Sequence, residues 1–356
     1  VGRLSRVELR ERNRARVLEA ARAEFAERGF REAKVDLIAE RAELTRGAVY
    51  SNFPGKRALY FAVLAEEVAR AGPDPTSVAP GDTPAAALGV LARAWVARLP
   101  LATDERQARL TRDLLPEIMA DERIRRPFAQ LMRLNATLLG LALENLGRGG
   151  RLVRVAEAAL TTLHGAAQLA AAAPGFLEPF TVVRACERLG ELDLDDYWPQ
   201  PTLFPRTELV DEPWAPPAME DLVAGDPVDL SRDGVVAVLG LNRASAAEDA
   251  VRAAAPGEQV TVVLVTADPP ELAPLARLAV ADLMSCLRQA VPRPRWPGLR
   301  VVCDEPAAVA AAAGLEVVTD STETALRVSS GRVVARATGV GAGHAMVSTA
   351  TRRLED

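Results

Sequence analysis

A change of hydrophobic period near residue 195 does most to limit the fold of this chain. Before it, apolar residues recur at three- and four-residue steps; after it, short β-branched runs alternate with helical stretches. Between the two patterns, residues 199–227 hold seven of the 25 prolines: Pro199, Pro201, Pro205, Pro213, Pro216, Pro217 and Pro227. A chain ordered this way is neither one helical bundle nor one barrel. It reads as a multidomain protein, an all-α part followed by an α/β part with a central sheet. Its 356 residues suit two or three domains.

The first helix is expected from Leu9 to Gly29, with Val17, Ala20, Ala21, Phe25 and Ala26 on one face and Gly29 as its C-cap. A short second helix carries Val35, Ile38, Ala39 and Ala42. A third starts at Thr45, a good N-cap, and runs to about Asn52. A fourth spans about 56–70, and Pro73, Pro75, Pro80 and Pro84 then make a loop. Further helical runs lie near 85–99, 106–120, 124–146, 153–173 and 179–191. Beyond the prolines, strands are expected at 235–241, 260–266, 299–303, 325–328 and 333–337, and helices at 246–255, 271–290, 307–313 and 342–353. The expected boundaries are 1–70, 71–197, a linker at 198–230, and 231–356.

Charge is uneven. Residues 1–60 hold fourteen Lys and Arg against nine Asp and Glu, a net of +5, whereas the whole chain is at −5, leaving −10 for the remainder. A basic head on an acidic body points to a polyanion at the head alone. No run of eighteen uncharged apolar residues occurs, so no membrane span is expected, and the basic start lacks the apolar core of a secretory signal. Cys186, Cys286 and Cys303 form no CxxC pair, which fits a reducing cytoplasm and gives no cysteine-based metal site.

Three stretches of the head carry a family resemblance. They are Arg14 to Ala21 with Phe25 to Phe30, then Val35 to Ala42, then Thr45-Arg46-Gly47-Ala48-Val49-Tyr50-Ser51-Asn52-Phe53 with Lys56 to Leu59. Together they resemble the helix-turn-helix domain of TetR-type transcriptional regulators over residues 10–65. In that family a tyrosine and a histidine are common where Ser51 and Asn52 stand, and a serine where Gly55 stands. A short helix, a turn and a second short helix form a rigid unit whose second helix enters the DNA major groove, about 12 Å wide. Ala48, Val49 and Phe53 would pack that helix, leaving Arg46, Gly47, Tyr50, Ser51 and Asn52 as candidate DNA contacts. Thr45 would cap the helix and touch phosphate. Lys56, at a helix N-terminus, would clamp a phosphate. Arg3, Arg6, Arg10, Arg12 and Arg14 form a lead-in that reaches backbone or minor groove.

The resemblance implies that the helices after the head hold a small-molecule effector and pair two copies on a palindromic operator, most often as a repressor. Ala156, Ala159, Leu160, Leu163, Ala166, Ala167 and Ala170 suit close helix packing, between copies or within one. Candidate cavity residues are Trp95, Met119, Phe128, Met132, Asn135 and His164.

Residues 218–354 resemble, more in pattern than in identity, the thioredoxin-like fold of the peroxiredoxin and TlpA type. The carrying segments are Pro227 to Leu230, Val301 to Glu305, Ala312 to Leu315, and Ala325 to Gly339, which looks like a closing hairpin. Where that family has its nucleophilic cysteine, this chain reads Asn242-Arg243-Ala244-Ser245-Ala246-Ala247, and the proline before the hairpin is replaced by Asp320-Ser321-Thr322-Glu323. Thiol chemistry needs a thiolate at that helix start, so no enzyme, cofactor or metal is expected. Two alternatives stay open: a redox-responsive regulator using Cys186, Cys286 or Cys303, and a regulator fused to a thiol-disulfide enzyme. Gly339, Gly341 and Gly343 lack the Lys-Ser/Thr of a phosphate loop and read as a flexible turn.

Overall fold

The computed structural model describes residues 6–70, 79–99, 110–147 and 149–346. Helix α1 (Arg6–Glu32) leads to α2 (Val35–Arg41), α3 (Arg46–Asn52) and α4 (Lys56–Arg70). The path of α1 breaks at Gly29, whose φ of 74° and ψ of 169° suit a residue without Cβ, and helix then resumes to Glu32. Val17, Ala21, Phe25, Ile38, Val49 and Phe53 bury one face of each helix in a common core. The Phe25, Phe30 and Tyr60 rings pack at centroid distances of 4.9–6.0 Å and hold α4 against α1.

The helical body comprises α5 (Pro84–Ala97), α6 (Leu114–Met119), α7 (Glu122–Glu144), α8 (Val153–Ala172) and α9 (Pro179–Leu189). The expected run at 106–120 lies outside the described residues as far as 109. So do Arg3, Pro73 and Pro75, and residues 347–353 of the last expected helix, which is helical from 342 to 346. Ala156, Ala159, Leu160, Leu163, Ala166 and Ala170 are buried inside the chain, so this small-residue face is bundle core.

The α/β part is built from β1 (Glu208–Pro213), β2 (Met219–Glu220), β3 (Pro227–Val228), β4 (Gly234–Gly240), β5 (Val260–Val265), β6 (Leu299–Cys303), β7 (Glu323–Ser329) and β8 (Arg332–Thr338). Helices α10 (Ala247–Ala253), α11 (Pro269–Ala290) and α12 (Ala308–Ala312) connect them. Six strands form one mixed sheet in the order β1-β8-β7-β4-β5-β6. The β4, β5 and β6 strands run parallel, while β7 and β8 are antiparallel to their neighbours. Alternation along each strand splits the core: Val235, Ala237 and Leu239 face the helical side, and Val236 and Val238 face Trp214, Val309 and Ala310.

The stretch expected as a linker, 198–230, is largely part of this unit. Strand β1 pairs with β8 at the sheet edge, where prolines are tolerated because one row of N–H groups needs no ladder partner. The buried Trp214 indole donates to the Leu230 carbonyl at 2.7 Å. Asp221, also buried, accepts from the Val223 and Val301 amides at 3.0 and 3.1 Å. Nor do the halves stand apart. Helix α11 packs on α4, α5 and α7 as well as on the sheet, and one continuous apolar core runs from Val17 to Met346. No helix among the described residues is long and apolar enough to cross a membrane.

Candidate nucleic-acid interface and ligand cavity

Helix α3 is held by chemistry its sequence announces. The Thr45 hydroxyl accepts from the Ala48 amide at 3.2 Å, capping the first turn. Val49 and Phe53 fix the inner face, while Arg46, Gly47, Tyr50 and Ser51 lie outward and exposed. Arg46 pairs with Asp36 at 3.2 Å and lies over the Tyr50 ring at 5.5 Å, so guanidinium and ring form one outward-facing unit. Ser51 and Asn52 both donate to the Ala48 carbonyl, at 2.9 and 2.8 Å. The Lys56 ammonium donates to the Arg31 and Ala33 carbonyls at 3.1 Å each and sits 4.6 Å from the Phe30 ring, tying the start of α4 to the end of α1. Arg10, Arg12 and Arg14 belong to α1 itself, and Arg14 lies over the Phe53 ring at 4.5 Å.

Two residues that hold the head in place, one of its own and one of the body, lie outside the sequence motifs. Glu24 is fully buried, pairs with Arg28 and Arg41 at 3.1 and 3.4 Å, and locks α2 to α1. Its signal was a carboxylate four residues after Ala20, on the apolar face. Asp113 accepts from the Phe30 amide at 3.0 Å, pinning the break in α1 to the body. Only tertiary structure brings these two together.

Between α4, α5, α7, α8 and α11 lies a cavity of about 820 Å³. Trp95, Phe128, Met132, Asn135 and His164 line it. Met119, the sixth candidate, is 72% exposed at the end of α6 and is not in the lining: α6 turns Ile118 into the core and its first turn, Leu114 to Pro116, to the cavity, which leaves Met119 outward. The Trp95 and His164 rings meet edge-on at 4.9 Å. Burial pushes the His164 pKa down, which favours the neutral ring.

Residues 17–63 match the family model of bacterial regulatory proteins of the tetR family. The head is a TetR-family domain. Similar solved structures include a TetR transcriptional regulator from Rhodococcus sp. RHA1, 16% identical, covering 52% of this chain and 95% of that one with a TM-score of 0.35. Another is NalD of Pseudomonas aeruginosa, the secondary repressor of the MexAB-OprM multidrug efflux pump, 21% identical over 50% of this chain and 95% of its own, TM-score 0.34. A third is FadR of Bacillus subtilis in complex with stearoyl-CoA, 14% identical, covering 49% and 96%, TM-score 0.27. No curated protein matches the chain at a significant level.

Beyond the TetR-type head, the segment after β4 is occupied by structure. It forms a 3₁₀ turn, Leu241–Ala246, where the Ser245 hydroxyl and amide both donate to the Gln130 side chain of α7, at 2.6 and 3.2 Å. The turn at 319–322 closes over it, with the Asn242 amide donating to the Asp320 carbonyl at 2.7 Å. Cys186, Cys286 and Cys303 are free and buried, and burial pushes each thiol up to about 11. The glycine turn after β8, expected to be flexible, is pinned: the Gly341 amide donates to the Glu323 carboxylate at 2.6 Å, placing negative charge beside the turn's own amide.

Proposed function

We propose that this protein is a TetR-type DNA-binding transcriptional regulator, acting as a homodimeric repressor that a small-molecule effector releases from a palindromic operator. The observation that carries the reading is α3. Its inner face is buried and its cap satisfied, while Arg46, Gly47, Tyr50 and Ser51 are exposed on the outer face of a helix short enough to enter the major groove. Thr45 and Lys56 flank that face as phosphate contacts, with Asn52 as a further DNA contact. Pairing of two copies is supported by Leu169, Phe176 and Phe180, exposed at 45%, 71% and 78% where α8 passes into α9. The cavity at Trp95 and His164 is the effector site in this reading.

The α/β unit is read as thioredoxin-like and non-catalytic. The neighbouring strands β5-β4-β7-β8, two parallel and two antiparallel, support the fold, and Ser245 at the helix start where a thiolate would be needed supports the loss of chemistry. The buried, high-pKa thiols speak against the redox alternative. A cytoplasmic location follows from the DNA partner.

The test is fluorescence anisotropy of the full chain on its own upstream intergenic DNA and on scrambled DNA across a salt series. Selective binding with a steep salt slope is expected. Equal weak binding to both DNAs, by protein stripped of ligand by gel filtration in denaturant and refolded, would overturn the reading.

A further inference from the structure

One wall of the cavity does not come from the helical body. Leu275, Leu278, Ala279, Asp282 and Leu283 of α11 line it, spaced along one helical face. Yet α11 belongs to the α/β unit, joining β5 to β6, and its other side packs on the sheet, where Cys303 lies 4.0 Å from the Ala273 carbonyl. The cavity-facing side is bolted to the body at three levels. Glu271 pairs with Arg57 of α4 at 2.5 Å, the Ala279 carbonyl accepts from Asn135 of α7 at 2.8 Å, and Asp282 pairs with Arg98 of α5 at 2.6 Å. This wall is fixed in place by polar contacts, at a volume inside the range of about 300–1,000 Å³ usual for small-molecule sites.

The lining also states what fits. Its carboxylates are answered within the protein: Asp282 by Arg98, and Glu67 by Arg70 at 3.1 Å. Arg98 is spoken for, lying over the Trp95 ring at 5.2 Å, and Arg112, the remaining cation, is exposed. A ligand charge buried between the helical body and α11, away from the exposed Arg112, would thus shed water without gaining a free counter-charge, which is costly. Polar capacity is left over among the lining residues, including two groups on the inner walls. His164 has no hydrogen-bond partner among the described residues, and the Asn135 side-chain oxygen, buried in the wall, accepts no bond. A neutral imidazole offers one donor and one acceptor.

We propose that the α/β unit is a structural part of the small-molecule site, which takes an uncharged, largely apolar ligand held between the helical body and α11, with His164 meeting its one hydrogen-bonding group. This deepens the reading of the cavity as the effector site, and it gives the C-terminal half a task that needs no chemistry.

The test titrates the full chain with N-phenyl-1-naphthylamine, a neutral apolar fluorophore with a single N–H, and with 8-anilino-1-naphthalenesulfonate, the same rings carrying a fixed negative charge. Saturable binding of the neutral probe, tighter than that of the sulfonate, is expected. Ala279→Trp, which fills the cavity from the α11 side, should weaken it roughly tenfold or more. Leu278→Ala trims the same wall and, should the tryptophan variant not fold, decides alone, with an expected change of roughly threefold or more. Unchanged affinity in the folded variants, absence of saturable binding, or preference for the sulfonate would overturn the proposal. No DNA enters the titration, so its outcome is separate from that of the operator experiment.

Discussion

At the residue scale, the head separates side chains that position α3 from those exposed on its outer face. Thr45 is a cap, and Thr45→Ala should cost about 1 kcal/mol of stability in urea unfolding. Arg46 and Lys56 should part company. Arg46→Ala is expected to bring operator and scrambled affinities closer together, because its guanidinium stands outward over Tyr50. Lys56→Ala should weaken both DNAs alike, lower the salt slope by about one, and also lower the melting temperature, since its ammonium closes two carbonyls at the end of α1. Anisotropy titrations at several salt concentrations distinguish these patterns. His164 gives a pH signature. Its folded pKa lies below the ordinary 6.5, so as pH falls past that value the unfolded chain takes up a proton that the folded chain refuses. Stability is therefore full above about 6.5 and declines below it, and His164→Gln should flatten that part of the curve of melting temperature against pH.

At the element scale, close approach and cross-element ion pairs carry the design. Helices α7 and α8 approach at Gly140, where a Cβ would come 2.9 Å from the Val153 Cα. Backbone cannot move aside as a side chain can, so Gly140→Ala should destabilise by about 1–3 kcal/mol in denaturant melts. Arg57, at the start of α4, bridges Asp121 at 3.0 Å and Glu271 at 2.5 Å, placing the base of the DNA-binding head, the start of α7 and the start of α11 at one node. The hydrogen bonds from Arg123, aided by Arg57, hold the Asp121 carboxyl down at about 2. The element pattern itself was plain in the sequence. Strands β4 to β8 and helices α7 to α11 fall within a few residues of where the apolar pattern puts them, because the outer helices bury one repeating face and the central strands β4 and β5 read as continuous apolar runs buried on both. Strand β1 was not legible: its six residues, Glu208 to Pro213, are mostly exposed, and an edge strand paired on one side leaves no alternating apolar signal.

At the scale of the whole molecule, the proline-rich stretch joins two halves that are also welded. Arg252 reaches Glu144 at 2.6 Å and Arg151 reaches Glu248 at 2.7 Å, two ion pairs crossing between α10 and the body. With α11 seated on α4, α5 and α7, the chain should unfold in one calorimetric transition, and two separated transitions would contradict the shared core. A chain cut after residue 197 should expose those apolar faces and aggregate, seen by light scattering, whereas a tethered accessory domain would leave a folded remainder. Phe180→Asp should shift the sedimentation of the full chain from dimer to monomer if α9 pairs two copies.

The sequence alone determined the TetR-type head, down to the cap at Thr45 and the break at Gly29, because these depend on local dihedral preference and on spacing along one helix. It also placed five of the cavity's lining residues, which belong to long periodic helices. Tertiary structure decided the rest. That α11 closes the cavity, that Met119 is left outside it, and that residues 208–230 join a sheet all depend on which distant faces meet. Apolar periodicity states that a face is buried, but not against what.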